Sequence, residues 1–151
     1  MGTKKARCDV KNQAIGISRG GRTTKIHAVV DGLGNPLRFI LTGGQVHDSQ
    51  AAEPLIRQLN FAGVNVIDDK AYGTREFRQY LAAETGQYMI PPKSNAKDKW
   101  SCDYYVYRER HLIENFFNQL KNYWRIAMRY DKLAYVYLQW IYLVAILIWL
   151  K

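Results

Sequence analysis

The chain has 151 residues, 48% of them hydrophobic and 13% aromatic, and carries a formal charge of +9. That length holds one domain with a real core, and that composition excludes a disordered tail. The basic surplus recurs at Lys4, Lys5, Arg7, Arg19, Arg22, Lys25, Lys93, Lys97, Lys99, Arg125 and Arg129, and it favours a polyanionic partner, DNA or RNA ahead of an acidic membrane surface.

In chain order, residues 1–23 read as a polar, basic lead-in with an SRGGR run at Ser18–Arg22, where backbone N–H groups with Arg19 or Arg22 suit a phosphate and a flexible lead-in suits equally. The start has no apolar core and is not read as a signal peptide. From Thr24, TKIHAVV and PLRFILT flank Asp31–Asn35 as a hairpin, with Pro36 tolerated at a strand start and Gly43-Gly44 closing it. His47-Asp48-Ser49 offers helix-capping side chains before QAAEPLIRQL, with a start or kink near Pro54. Val64–Asp69 is a short apolar strand ending in two acids. REFRQYLAAETG reads as a helix stopped by Gly86, with Phe77, Tyr80 and Leu81 on one side. Tyr88–Ile90 is a strand cut by Pro91-Pro92, and the loop KSNAKDKWSCD follows. Leu133–Leu150 is apolar, yet Gln139 sits in it and only Lys151 follows, so a buried core helix is expected and not a membrane anchor. Cys8 and Cys102 form no C-x-x-C pair, which argues against a disulfide framework or a cysteine zinc site and for a reducing compartment. A mixed α/β sheet covered by helices is the economical fold reading.

Tyr107, Arg110, Glu114 and Lys121 are spaced Y-x2-R-x3-E-x6-K. On a helical wheel they fall at about 0°, 300°, 340° and 320°, one narrow stripe. Leu112, Ile113, Phe116, Leu120, Tyr123 and Trp124 lie opposite as the core face. The four tryptophans, Trp100, Trp124, Trp140 and Trp149, are expected in the core or at an interface, and His27, His47 and His111 lack metal-ligand spacing, with His47 expected nearest the site. A carboxylate between two cations and a phenol suits metal and phosphate. Acids at a strand end, as in Val64–Asp69, suit the same task, because hard cations such as Mg²⁺ or Mn²⁺ want oxygen ligands.

With Asp69-Lys70-Ala71-Tyr72 after an apolar strand and the Y-x2-R-x3-E-x6-K stripe, the chain resembles the DDE transposases of bacterial insertion sequences. The segments SRGGRTTKIHAVVDGLGNPLRFILTGGQVHDS, VIDDKAYGT, IPPKSNAK, YRERHLIENFFNQLK and RIAMRYDKLA carry the same resemblance, over residues 13 to 151. It implies a ribonuclease H-like mixed sheet flanked by helices, with residues 24–151 as a partial catalytic domain. It also implies two Mg²⁺ or Mn²⁺ ions held by two aspartates and a glutamate, and cleavage and strand transfer of DNA at element ends. Strand alternation leaves Asp68 and Asp69 equal; the family pattern selects Asp69 as the second acid and Glu114 as the third. Tyr107, Arg110 and Lys121 match positions that contact the DNA backbone. The implied partners are DNA and either further copies of the chain or the product of an upstream frame, in the bacterial cytoplasm near the nucleoid.

One departure accompanies the match. The family's first aspartate ends a strand upstream of the segment matching SRGGRTTKIH. Asp9 has no apolar strand before it, Asp31 sits in a hairpin turn and Asp48 reads as a cap. The sheet is therefore expected to be incomplete at its N-terminal strand and the first acid absent. Two explanations fit: the downstream product of a frameshifted gene, or a truncated copy that still binds DNA without cutting it.

Overall fold

The computed structural model describes residues 13–57, 59–84, 87–97 and 99–151. Lys4, Lys5, Arg7, Cys8, Asp9 and Gly86 lie outside the described residues.

Strands β1 (Gly16–Ser18), β2 (Gly21–Val30) and β3 (Pro36–Gly43) form an antiparallel sheet in that order. Strand pairing thus begins inside the stretch set apart as a polar lead-in. The SRGGR run makes the β1–β2 turn, which needs Gly21 at φ +92°, a conformation side-chain-bearing residues resist. Ser18 Oγ accepts from the Gly20 N–H and from Thr23 Oγ1, so side chain and backbone close the turn together. The expected hairpin is β2–β3, with Ile26 opposite Leu41 and Ala28 opposite Phe39, and a register shift between Val29 and Val30.

Asp31 organises the hairpin loop. Its carboxylate accepts from the Leu33 N–H (2.8 Å), the Asn35 N–H (2.9 Å) and Asn35 Nδ2 (3.0 Å), while Gly34 takes φ +86°. Partial burial would raise its pKa, but the hydrogen bonds from Asn35, Leu33 and Gly34 win and lower it. The stability it contributes is therefore full above the ordinary carboxylate range and is lost as pH falls through the lowered folded value. Asp31→Ala is expected to cost about 1–2 kcal/mol near neutral pH and to flatten the acid limb of stability against pH, read by urea melts from pH 7 downward. An acid limb unchanged by the substitution would remove this assignment.

Both faces of the β2–β3 hairpin are covered. Successive side chains point to opposite faces, so Ile26, Ala28, Val30, Phe39 and Leu41 meet one core while Val29 and Ile40 meet the other. The first core joins Phe39 to Phe116 and Leu120 of α4 (His111–Lys121), Ile126 of α5 (Trp124–Ala127) and Tyr137, Ile141, Val144 and Ala145 of α6 (Ala134–Trp149). The second joins Ala52, Leu55 and Ile56 of α1 (Ser49–Ile56) to Phe77 and Leu81 of α2 (Arg75–Glu84) and to Ile90. Pro54 lies inside α1, two residues from its end.

The strand expected at Val64–Asp69 is shorter: β4 is Val66–Ile67, and Val64 is exposed beside a turn with Gly63 at φ +73°. β4 pairs in parallel with β5 (Tyr88–Met89) across the α2 crossover, and this pair shares no ladder with the larger sheet.

α6 is the expected C-terminal core helix only on one side. Tyr137, Ile141, Val144 and Ala145 are buried, whereas Leu143, Ile146, Leu147 and Trp149 are 44–55% exposed. Among the described residues no helix is long and apolar enough to cross a membrane.

Candidate active site

The Y-x2-R-x3-E-x6-K stripe is helical but not one α-helix. Asp103 starts it, its carboxylate accepting from the Tyr105 (2.8 Å) and Val106 (3.3 Å) N–H groups. Helix α3 (Tyr104–Tyr107) then tightens through a 3₁₀ turn at Arg108–Arg110 before α4 begins at His111. A 3₁₀ turn eclipses residues three apart, which sets the Arg110 guanidinium over the Tyr107 ring, 5.7 Å from its centroid. Glu114 follows one α-turn on, and Arg110 Nη2 donates to its Oε1 at 2.7 Å.

The second acid comes from a separate element. Asp69 lies two residues beyond β4, at the head of a turn in which the Tyr72 N–H donates to the Asp69 carbonyl (2.9 Å) and the Gly73 N–H to that of Lys70 (3.4 Å). Thr74 Oγ1 then accepts from the Phe77 N–H to open α2. Arg110 Nη1 stands 3.7 Å from Asp69 Oδ2, so a single guanidinium faces both carboxylates. Asp69 and Glu114 have side chains about half exposed (44% and 53%), so the cluster opens to solvent.

Asp68 differs from its neighbour. Its Oδ1 accepts from the Asp69 N–H at 2.8 Å, and desolvation pushes its carboxyl up to about 7, with the Asp69 charge adding to the rise. Burial thus disfavours the charged form of Asp68, while Asp69 faces a cation.

Behind the acids lies a network that sequence spacing did not single out as a unit. His27, 3% exposed, bonds the Tyr72 hydroxyl through Nδ1 (2.9 Å) and the Thr42 hydroxyl through Nε2 (2.8 Å). Strand alternation in TKIHAVV, which puts His27 on the face of Val29, was the available signal. Burial lowers the His27 pKa, with Asp48 opposing and Lys25 assisting. The Tyr72 hydroxyl is pushed well above its ordinary value by burial and by Asp68, Asp48 and Asp69. Asp48 occupies the N-cap position of α1 but makes no capping bond; it pairs with Lys25 Nζ at 2.8 Å, which also donates to the Val46 carbonyl. His47 bonds Ser49 and stays exposed.

The other stripe and basic residues are dispersed. Lys121 ends α4, exposed, beyond the cluster, and Arg19 and Arg22 sit exposed on the β1–β2 turn. Arg125 and Arg129 are engaged internally, Arg125 with Asp131 at 2.8 Å and over the Trp140 ring at 4.4 Å. Among the described residues no three of His, Cys, Asp and Glu come together as a metal-binding group. Asp69 and Glu114 alone do not make a closed metal site.

Comparison with known proteins gives the family of the chain. A family described as a transposase DDE domain matches residues 6–101, and a second family of the same description matches residues 66–151. Domains of this family depend on divalent metal ions in general. A protein of Brucella ovis described as a transposase for insertion sequence element IS6501 is 39% identical over 132 residues, spanning 85% of this chain and 99% of its own length. No solved structure matches. The chain belongs to the DDE transposases of insertion sequences.

Proposed function

We propose that Asp69 and Glu114 are two of the carboxylates of the DNA-cleavage centre of this transposase, and that Tyr107, Arg110, Lys121, Arg19 and Arg22 hold the DNA backbone around them. The observation that carries this is the convergence on Arg110 of one acid from the β4–α2 turn and another from α4. Charge-assisted pairing of that kind gives a guanidinium a ready exchange partner when phosphate arrives, since it grips carboxylate and phosphate by the same fork. The carboxylate oxygens are hard donors, so the metal is Mg²⁺ or Mn²⁺, two ions in the complete enzyme. These two acids are too few for it, and the ligand set is completed by an acid from outside the pair, with the product of an upstream frame or a further copy of the chain as the protein partner. A sheet covered by helices on both faces supports a ribonuclease H-like architecture, partial over residues 24–151 with residues 1–23 as a basic lead-in, in a protein of the bacterial cytoplasm.

With the upstream segment supplied, nicking of DNA bearing the element's ends is expected to require a divalent ion. Asp69→Asn and Glu114→Gln should each reduce it by about a hundredfold or more, while binding to the same DNA persists and weakens steeply with salt. Wild-type nicking rates in both variants would overturn the assignment.

A further inference from the structure

The larger sheet and the β4–β5 pair share no backbone ladder. Strand pairing therefore does not fix where the Asp69 turn stands relative to α4, and the two-residue β4 is a weak mooring. A polar connection crosses between them. Tyr72 ends the turn that Asp69 begins, its N–H on the Asp69 carbonyl, and its hydroxyl reaches across to His27 on β2. His27 is in turn held by Thr42 of β3, and its ring meets that of Tyr72 edge-on with centroids 6.3 Å apart. Among the described residues His27 is the fully buried polar side chain. A neutral imidazole has one donor and one acceptor, so the two hydroxyls take complementary roles and neither ring nitrogen is left unpaired. Buried polar groups satisfied in this way have a single low-energy arrangement and rigidify what they join. Apolar contacts of Tyr72 with the second core hold the ring in place but slide more easily than a directed hydrogen bond.

We propose that His27 and Tyr72 are positioning residues: the Thr42–His27–Tyr72 chain ties the Asp69 turn to the larger sheet and so sets the spacing of Asp69 from Arg110 and Glu114. The consequence for cleavage rests on the reading of Asp69 and Glu114 given above; the consequence for the turn does not.

Tyr72→Phe keeps the ring and deletes the hydroxyl. In the full chain, amide hydrogen exchange at Tyr72, Gly73 and Thr74 is expected to quicken about tenfold, with amides of β2, β3 and α4 unchanged. In the nicking assay with the upstream segment, kcat is expected to fall about tenfold with KM for DNA within about twofold of wild type, the signature of misplaced reacting groups and not of lost binding. His27→Asn places an amide where Nδ1 stands and should recover part of the loss that His27→Leu suffers. Unchanged exchange at the turn, exchange raised throughout the sheet, or an unchanged kcat in Tyr72→Phe would each overturn the proposal. Asp69→Asn nicking at the wild-type rate would instead overturn the site reading and leave the exchange result standing.

Discussion

Phe116→Ala is expected to lower the unfolding free energy by about 3–5 kcal/mol, the largest effect of any single truncation on the stripe helix. Phe116 is 1% exposed, stacks on Phe39 of the sheet with centroids 5.7 Å apart, and meets Phe117 at 5.6 Å. This ring pair joins α4, the helix of Glu114, to β3. Truncation removes transfer energy and leaves a cavity walled by Leu120, Ile141 and Val144, which belong to other turns and helices and cannot all move in. Trp124→Ala is the internal contrast: that ring is 68% exposed, and its loss should cost about 0.5 kcal/mol or less. Urea melts of the two variants give the comparison. Equal losses would mean the first core is not organised around Phe116.

Arg129→Ala should cost about 2–4 kcal/mol. The guanidinium donates to the carbonyls of Gln13 (2.8 Å), Ala14 (3.2 Å), Asp131 (2.9 Å) and Lys132 (3.3 Å) and to Thr24 Oγ1, and it lies over the Tyr137 ring, 5.1 Å from its centroid. One side chain thus joins the segment entering β1, the middle of β2 and the turn before α6. Ala14, at φ 51°, takes the left-handed conformation at a cost of about 1 kcal/mol, and its carbonyl accepts from Arg129 Nη1 and Thr24 Oγ1 together. Arg129→Lys should recover little, because an ammonium has neither the planar fork nor the reach to serve acceptors on three elements. A lysine variant as stable as wild type would show that charge alone suffices there.

The contrast between what was legible and what was not follows the range of the interactions. The β2–β3 hairpin and α2 are written in local signals: Asp31 and Gly34 in a turn, helical periodicity through Phe77 and Leu81. The pairing of Asp69 with the stripe was legible only as a motif resemblance, since no local rule predicts that two distant acids meet one arginine. Arg125 and Arg129 counted towards a basic surface; partners more than a hundred residues away draw Arg129 inward, whereas Arg125 stays exposed while paired with Asp131 and Trp140. Trp124 was expected on the core face because the helical wheel was extended unbroken from Tyr107. The backbone instead becomes extended at Tyr123 (φ −90°, ψ 106°), α5 restarts with a new phase, and the ring swings outward. The His27–Tyr72 bond joins two elements whose spatial relation no sequence periodicity encodes.

The first core draws Phe39 from the sheet and Ile141, Val144 and Ala145 from the C-terminal helix, and that has a bearing on synthesis. A ribosome that has translated both strands of the hairpin has produced a surface it cannot yet cover, since the helix that closes over Phe39 is made long after them. Native packing is deferred until α6 has emerged, and until then the apolar face of the hairpin is open to chaperones and to neighbouring nascent chains. The yield of folded protein is then set by a race between the emergence of α6 and capture of the open hairpin.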